Sequence, residues 1–389
     1  MPFDFDRVIE RRGTASVKWD TGPAADRARD VVPAWVADMD FAAPPEVLDA
    51  IRTRLDHGVL GYSIRSRSYD EAIEGWMSRR FGWTIGPDWI VTVPGVVPAV
   101  YLAVQAFTEP GDRVVIQSPV YHPFPRAVEA NDRLVVRNRL VEDDLHYSMD
   151  LDDLERAFAG GARMLILCSP HNPVGRVWRR NELEALAALC VRHQVVVLSD
   201  EIHQDIVFPG HPHVPLASLG PEIAALTVTA TAPNKTFNIA GLQAGNVLIS
   251  HPARRKRYRT VMSRAGLHVT NLMALIACEA AYTHGERWLA ALVEYLGGNA
   301  GLVGEVLDTP ASRIGVTPLE GTYLMWLDLR RAGQDDDALR QRLLEAGVWL
   351  DEGTKFGPGG EQFQRLNIGC PRATLSLALE RIVRALEAQ

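Results

Sequence analysis

A lysine, Lys235, stands in the stretch TAPNKTFNIAG (231–241), between an apolar run at 225–228 and another at 244–249. A lysine carried through an interior meets a medium that favours its neutral amine, and a neutral amine is a nucleophile able to condense with an aldehyde. A carboxylate is placed in a similar way. Asp200, in SDEIH (199–203), directly follows the apolar run 195–198. Burying it is costly unless a cation faces it, and an N-cap or a structural ion pair meets that demand as well as a functional role does. Asn172 lies in SPHNPVG (169–175), where two prolines fix the backbone and hold the amide in one direction. Gly95, with Val96 and Val97, opens a helix pattern at Pro98. It offers backbone N–H groups to a phosphate-sized anion, although a glycine there also serves simple turn chemistry.

These residues need a frame. The chain has 389 residues, is 47% hydrophobic and 23% charged, and carries a net charge of -7. That balance suits a globular protein with one large and one small domain. The negative charge argues against nonspecific binding to nucleic acid or anionic membrane, and no apolar run is long enough for a transmembrane helix. The opening MPFDFDRVIERRG lacks the apolar core of an export signal, which predicts a cytosolic protein. Cys168, Cys190, Cys278 and Cys370 lie far apart in apolar runs and are expected to be buried free thiols, not metal ligands or disulfides.

Continuous runs of Val, Ile and Leu at 90–93, 114–116, 164–168, 195–198, 226–228 and 246–249 read as strands buried on both faces of a mostly parallel sheet. Helical patterns fall at 45–55, 69–81, 98–108, 181–193, 268–282 and 286–306. The last hundred residues change character, with strands near 323–329 and 364–368 and helices over 336–346 and 373–386. The expected class is therefore α/β, a mostly parallel sheet sandwiched by helices plus a smaller α+β domain. The division places the large domain at 48–285 and the small one at 1–47 and 286–389. The first forty residues are expected to pack against the small domain or against a partner chain.

In a parallel α/β sheet, ligands collect beyond the carboxyl ends of the strands. VTVPG, ILCSPHNPVG, VLSDEIH and TATAPNK all begin there. One ligand satisfies all four loops: an aldehyde with a phosphate tail and a ring nitrogen that must stay protonated. Pyridoxal 5′-phosphate has those parts.

The same residues carry a resemblance. SPHNPVG, SDEIHQD, NKTFNIAGLQ and RLNIGCPR, in this order, are similar to the fold-type I pyridoxal-phosphate enzymes related to aspartate aminotransferase. WVADMDF, PVYHPF, DEIHQDIVF and EGTYLMWLD more narrowly resemble the MalY/PatB-type cystathionine β-lyases, from about residue 3 to the C-terminal helix. The resemblance implies the aspartate-aminotransferase-like fold and the following roles. Lys235 is the Schiff-base lysine, Asp200 partners the pyridinium nitrogen, and Asn172 bonds the phenolic oxygen. Tyr121 stacks on the cofactor ring, His203 lies near the phenolic oxygen, and Gly95, Val96 and Val97 cradle the phosphate. Tyr62, in GVLGYS, reaches the phosphate of a neighbouring subunit, which implies a homodimer with shared sites. Arg372, in GCPR, takes the substrate α-carboxylate, with Asp38 and Tyr62 also on the substrate side.

Two departures bear on the phosphate. Ala232 and Gln243 stand where the wider group often has a hydroxyl residue and an arginine, so Thr229 or Thr231 is expected to help, and Asn234 replaces a common serine. The implied reaction is β-elimination from L-cystathionine or another cysteine S-conjugate, giving a thiol, pyruvate and ammonia. Transamination needs the same residues up to loss of the Cα proton. A regulatory, protein-binding role is the third reading.

Overall fold

The computed structural model describes residues 3–268, 270–309 and 312–387. Its largest sheet has seven strands: β1 Ile90–Val93, β2 Arg113–Ser118, β3 Leu134–Arg139, β4 Met164–Cys168, β5 Val196–Asp200, β6 Thr227–Thr231 and β7 Gly245–Leu248. Across the sheet they run β1-β7-β6-β5-β4-β2-β3. β7 is antiparallel to both neighbours and every other pairing is parallel. β4 to β7 are buried along their whole length, which is why their sequences carry no charged face exposed to water.

One face of this sheet packs against Val96–Phe107, Pro123–Glu129 and Pro252–Arg264; the other packs against Leu151–Ala159, Arg180–His193 and Pro221–Leu226. The register sets Cys168 beside Asp200 and Asp200 beside Ala230, so β4, β5 and β6 deliver their following loops at one level. That alignment brings the polar loops together. β3 was not anticipated. It is an edge strand in which Leu134-Val135-Val136 gives way to Arg137-Asn138-Arg139, so its apolar run stops halfway along the strand.

A second, antiparallel sheet is built from Gly315–Val316, Leu324–Asp328, Phe363–Asn367 and Asp351–Glu352. Helices Glu286–Leu307, Asp336–Glu345 and Arg372–Glu387 share its core. The N-terminal residues join this part: Val32–Pro33 pairs with Val348–Trp349, and Trp35 stacks on Trp349 at 4.5 Å. The chain from Trp35 to Phe41 then bridges the two sheets. Asn367 Nδ2 donates to Val36 O at 2.7 Å and Asp38 O at 2.6 Å. From the other side, Asn238 accepts the Met39 N–H at 2.9 Å and donates to Met39 O and Phe41 O at 2.8 and 2.7 Å.

Among the described residues no helix is long and apolar enough to cross a membrane. The four cysteines are buried and unpaired.

Candidate active site

A cleft opens at the carboxyl ends of β4, β5 and β6. Gly95, Val96, Val97, Tyr121, Asn172, Asp200, His203 and Lys235 line it, with Ala37, Cys168, Asn234 and Gln243. At one end the helix Val96–Phe107 points its first residues inward. Gly95, its N-cap, has φ +132°, a conformation that only glycine adopts readily. Gly245 of β7 lies against it: a Cβ there would come within 2.9 Å of Gly95 Cα. Two glycines thus let the backbones meet, and the N–H groups of the first turn, which have no intrahelical acceptor, face the cleft wall.

Lys235 sits in the short helical turn Pro233–Thr236, and its Nζ donates to Ala37 O. Burial draws its pKa down to about 8; Arg365 acts in the same direction, while Asp38 and Asp200 oppose it. Asp200 ends β5, is 5% exposed and accepts the Ile202 N–H at 3.1 Å. Burial pushes it up to about 7, despite the Ile202 N–H and Lys235, with Glu201 adding to the rise. This carboxylate is under-compensated. His203 is held neutral, drawn down to about 3 by burial, then by Lys235 and Arg365, and its buried Nδ1 has no partner.

Asn172 Oδ1 accepts Arg365 Nη1 at 2.9 Å, which leaves its amide hydrogens to donate elsewhere. Tyr121 stands edge-on to Phe124, with ring centroids 6.0 Å apart, and burial raises its pKa. Arg365 was missed in the sequence. It lies in Phe363–Asn367, a strand buried throughout, where Nη2 donates to Trp35 O and to Asp351 Oδ2, both at 2.7 Å. Its Nε has no partner. The available signal was an arginine in the middle of a buried strand, since arginines are rarely buried without a task.

Five candidates do not line the cleft. Arg372 does not line the cleft: the chain turns after Asn367 and carries Arg372 onto helix Glu286–Leu307. There its guanidinium covers the Tyr295 ring at 4.6 Å and its backbone N–H donates to Tyr295 Oη at 2.9 Å. Thr231 is buried on the far face of the sheet, accepting Gln204 Nε2 at 2.8 Å, and Thr229, two residues back, shares that face without a partner. Neither threonine lines the cleft. The Asp38 carboxylate is held by Arg11 at 2.8 and 3.2 Å, while its neighbour Ala37 meets the cleft. Tyr62 is 97% exposed and does not enter this chain's cleft.

The chain is similar to known proteins over nearly its whole length. Residues 36–382 match the family described as aminotransferase class I and II. The chain is 46% identical to cystathionine beta-lyase PatB of Bacillus subtilis (strain 168), over 98% of this chain and 100% of that protein. Against protein MalY of Escherichia coli (strain K12), identity is 36% over 99% of each. The solved structure of cystalysin from Treponema denticola, which contains a pyridoxal 5′-phosphate cofactor, matches with a TM-score of 0.96 at 37% identity. The match covers 100% of this chain and 99% of that one. The chain belongs to the aminotransferase class I and II family.

Proposed function

We propose that the protein is a pyridoxal-phosphate-dependent carbon–sulfur β-lyase, cleaving L-cystathionine or a related cysteine S-conjugate to a thiol, pyruvate and ammonia. One observation carries the reading: a lysine amine and an under-compensated carboxylate share a cleft whose end is a helix N-terminus. The donor set fits the cofactor. Asp200 lacks the cation that a protonated ring nitrogen provides, and His203 Nδ1 and Asn234 Oδ1 are buried without partners. The names of the relatives favour the lyase over other reactions of the fold.

Bound there, the cofactor supplies an electron sink for the pair left when the substrate Cα–H bond breaks. The chain does the rest. Gly95, Val96 and Val97 hold the phosphate through backbone N–H groups. Asp200 keeps a proton on the ring nitrogen, Asn172 Nδ2 donates to the phenolic oxygen, and Tyr121 covers the ring. Lys235 would hold the aldehyde end of the cofactor, and its neutral amine is the group placed to take the substrate Cα proton as general base. Arg365, not Arg372, receives the α-carboxylate, because it is the buried guanidinium that reaches Asn172 at the cleft. The pair left at Cα forms a Cα=Cβ bond as the Cβ–S pair leaves with sulfur, which takes up a proton to give the thiol, and one water hydrolyses the remaining three-carbon enamine to pyruvate and ammonia.

A second copy of the chain completes the site in this reading. Val59, Leu60, Tyr62 and Ile64 form an exposed apolar segment, and a partner covering it places Tyr62 at the neighbour's phosphate. The enzyme acts in the cytosol.

The test is incubation of the yellow holoenzyme with L-cystathionine, measuring pyruvate and free thiol. Release of both without added keto acid supports the lyase. Amino-group transfer that requires a second keto acid identifies a transaminase instead.

A further inference from the structure

One carbonyl oxygen, that of Ala37, serves two donors. Lys235 Nζ reaches it from the cleft, and Tyr323 Oη donates to it at 2.9 Å from the start of strand Leu324–Asp328. A carbonyl has two lone pairs, so the pairing fills both. Tyr323 is 1% exposed and stands edge-on to His203, with ring centroids 5.9 Å apart. The acceptor itself is fixed, since Asn367 grips the carbonyls of Val36 and Asp38 on either side of it. The amine is the movable member. A lysine acting as a base needs an acceptor that orients one N–H without stabilising the ammonium. A carbonyl already engaged by a phenol meets that need.

We propose that Tyr323 is a positioning residue for Lys235: by sharing the Ala37 carbonyl, its hydroxyl sets where the freed amine rests and keeps it neutral. The inference rests on the reading of Lys235 as the base. The charged groups facing the amine are Asp38 from the 35–41 segment, Asp200 from the end of β5 and Arg365 from strand Phe363–Asn367. His203 and Tyr121 complete the surroundings. All of them remain in a Tyr323→Phe variant, so the hydroxyl is isolated.

The chain has four lysines, Lys18, Lys235, Lys256 and Lys355, so 13C-labelled lysine side chains can be titrated one by one by NMR in the cofactor-free, full-length protein. Tyr323→Phe leaves the carbonyl to the amine alone and should raise the Lys235 midpoint by about half a pH unit. In the holoenzyme it should lower kcat roughly tenfold with KM within about twofold. Site-specific 3-fluorotyrosine at 323 keeps the packing and donates more strongly, so the midpoint should move down. It also serves as the probe if the Phe variant fails to fold. An unmoved midpoint in both variants overturns the proposal, as does a fall in kcat/KM carried by KM alone. A moved midpoint in a protein that cleaves no conjugate supports the shared carbonyl and counts against the lyase reading alone.

Discussion

Arg365 Nη1 donates to Asn172 Oδ1 at 2.9 Å, a bond that ties the smaller sheet to the loop after β4. The guanidinium is thereby fixed beside Asn172, a residue of the cleft lining, whereas Arg372 is engaged with Tyr295. Arg365→Lys keeps the charge and loses the planar fork, and should lower kcat/KM about 100-fold. Arg372→Ala should stay within about threefold of wild type, with a stability loss on the order of 1 kcal/mol for its aromatic contact. Thiol release under steady-state conditions measures both. The opposite ranking returns the carboxylate to Arg372.

Lys235 titrates near 8, below its ordinary value, because of burial. Attachment of pyridoxal phosphate to the cofactor-free protein should therefore accelerate through pH 8 and level off above it, as the neutral amine becomes dominant. Stability has the same sign. The folded chain binds fewer protons than the unfolded chain from about 8 up to the ordinary lysine value, so it gains stability as pH rises across that interval. Borohydride reduction followed by mass measurement reads the covalent link, which Lys235→Ala should abolish.

Asp200 titrates near 7 in the cofactor-free chain, above the ordinary carboxylate value. The unfolded chain ionises this group first, so its contribution to stability is present below about pH 4 and is lost as pH rises towards 7. Asp200→Asn should accordingly melt a few degrees higher than wild type at pH 8 and at the same temperature at pH 4. It should also cost about 100-fold or more in turnover, because a neutral amide holds no proton on the ring nitrogen. Equal melting temperatures at pH 8 would show that the carboxylate is already compensated.

Tyr62→Ala and Lys235→Ala should each be nearly inactive alone. When the two proteins are mixed and allowed to exchange subunits, half the dimers carry one site with both defects and one intact site. About a quarter of wild-type activity should return if sites are shared between two copies. No recovery despite confirmed exchange would confine the site to one chain.

Much of this was legible in the sequence because burial leaves a compositional trace. β4 and β5 show as unbroken apolar runs, and Asp200 and Lys235 stood out as charged residues where such runs end. β3 left a weaker trace, since this edge strand continues its short apolar run 134–136 with exposed arginines. The Thr231 reading failed on parity. β6 runs to Thr231, so alternation, fixed by register and not by composition, turns that hydroxyl away from the cleft. Arg365 and Arg372 both lie in RLNIGCPR, and only the course of the chain after Asn367 separates the buried guanidinium from the one stacked on Tyr295. The role of Tyr62 depends on a second copy, which one chain's pattern does not encode.

The Trp35–Phe41 bridge also bears on the order in which the chain can fold. Its carbonyls wait for Arg365 and Asn367, residues separated from it by 329 to 331 positions. A nascent polypeptide can complete the central sheet while still tethered to the ribosome, yet the Ala37 oxygen has no fixed place until the final strand emerges. The cleft wall at Ala37 is therefore assembled from both ends of the described chain, and its order depends on strand Phe363–Asn367 being docked.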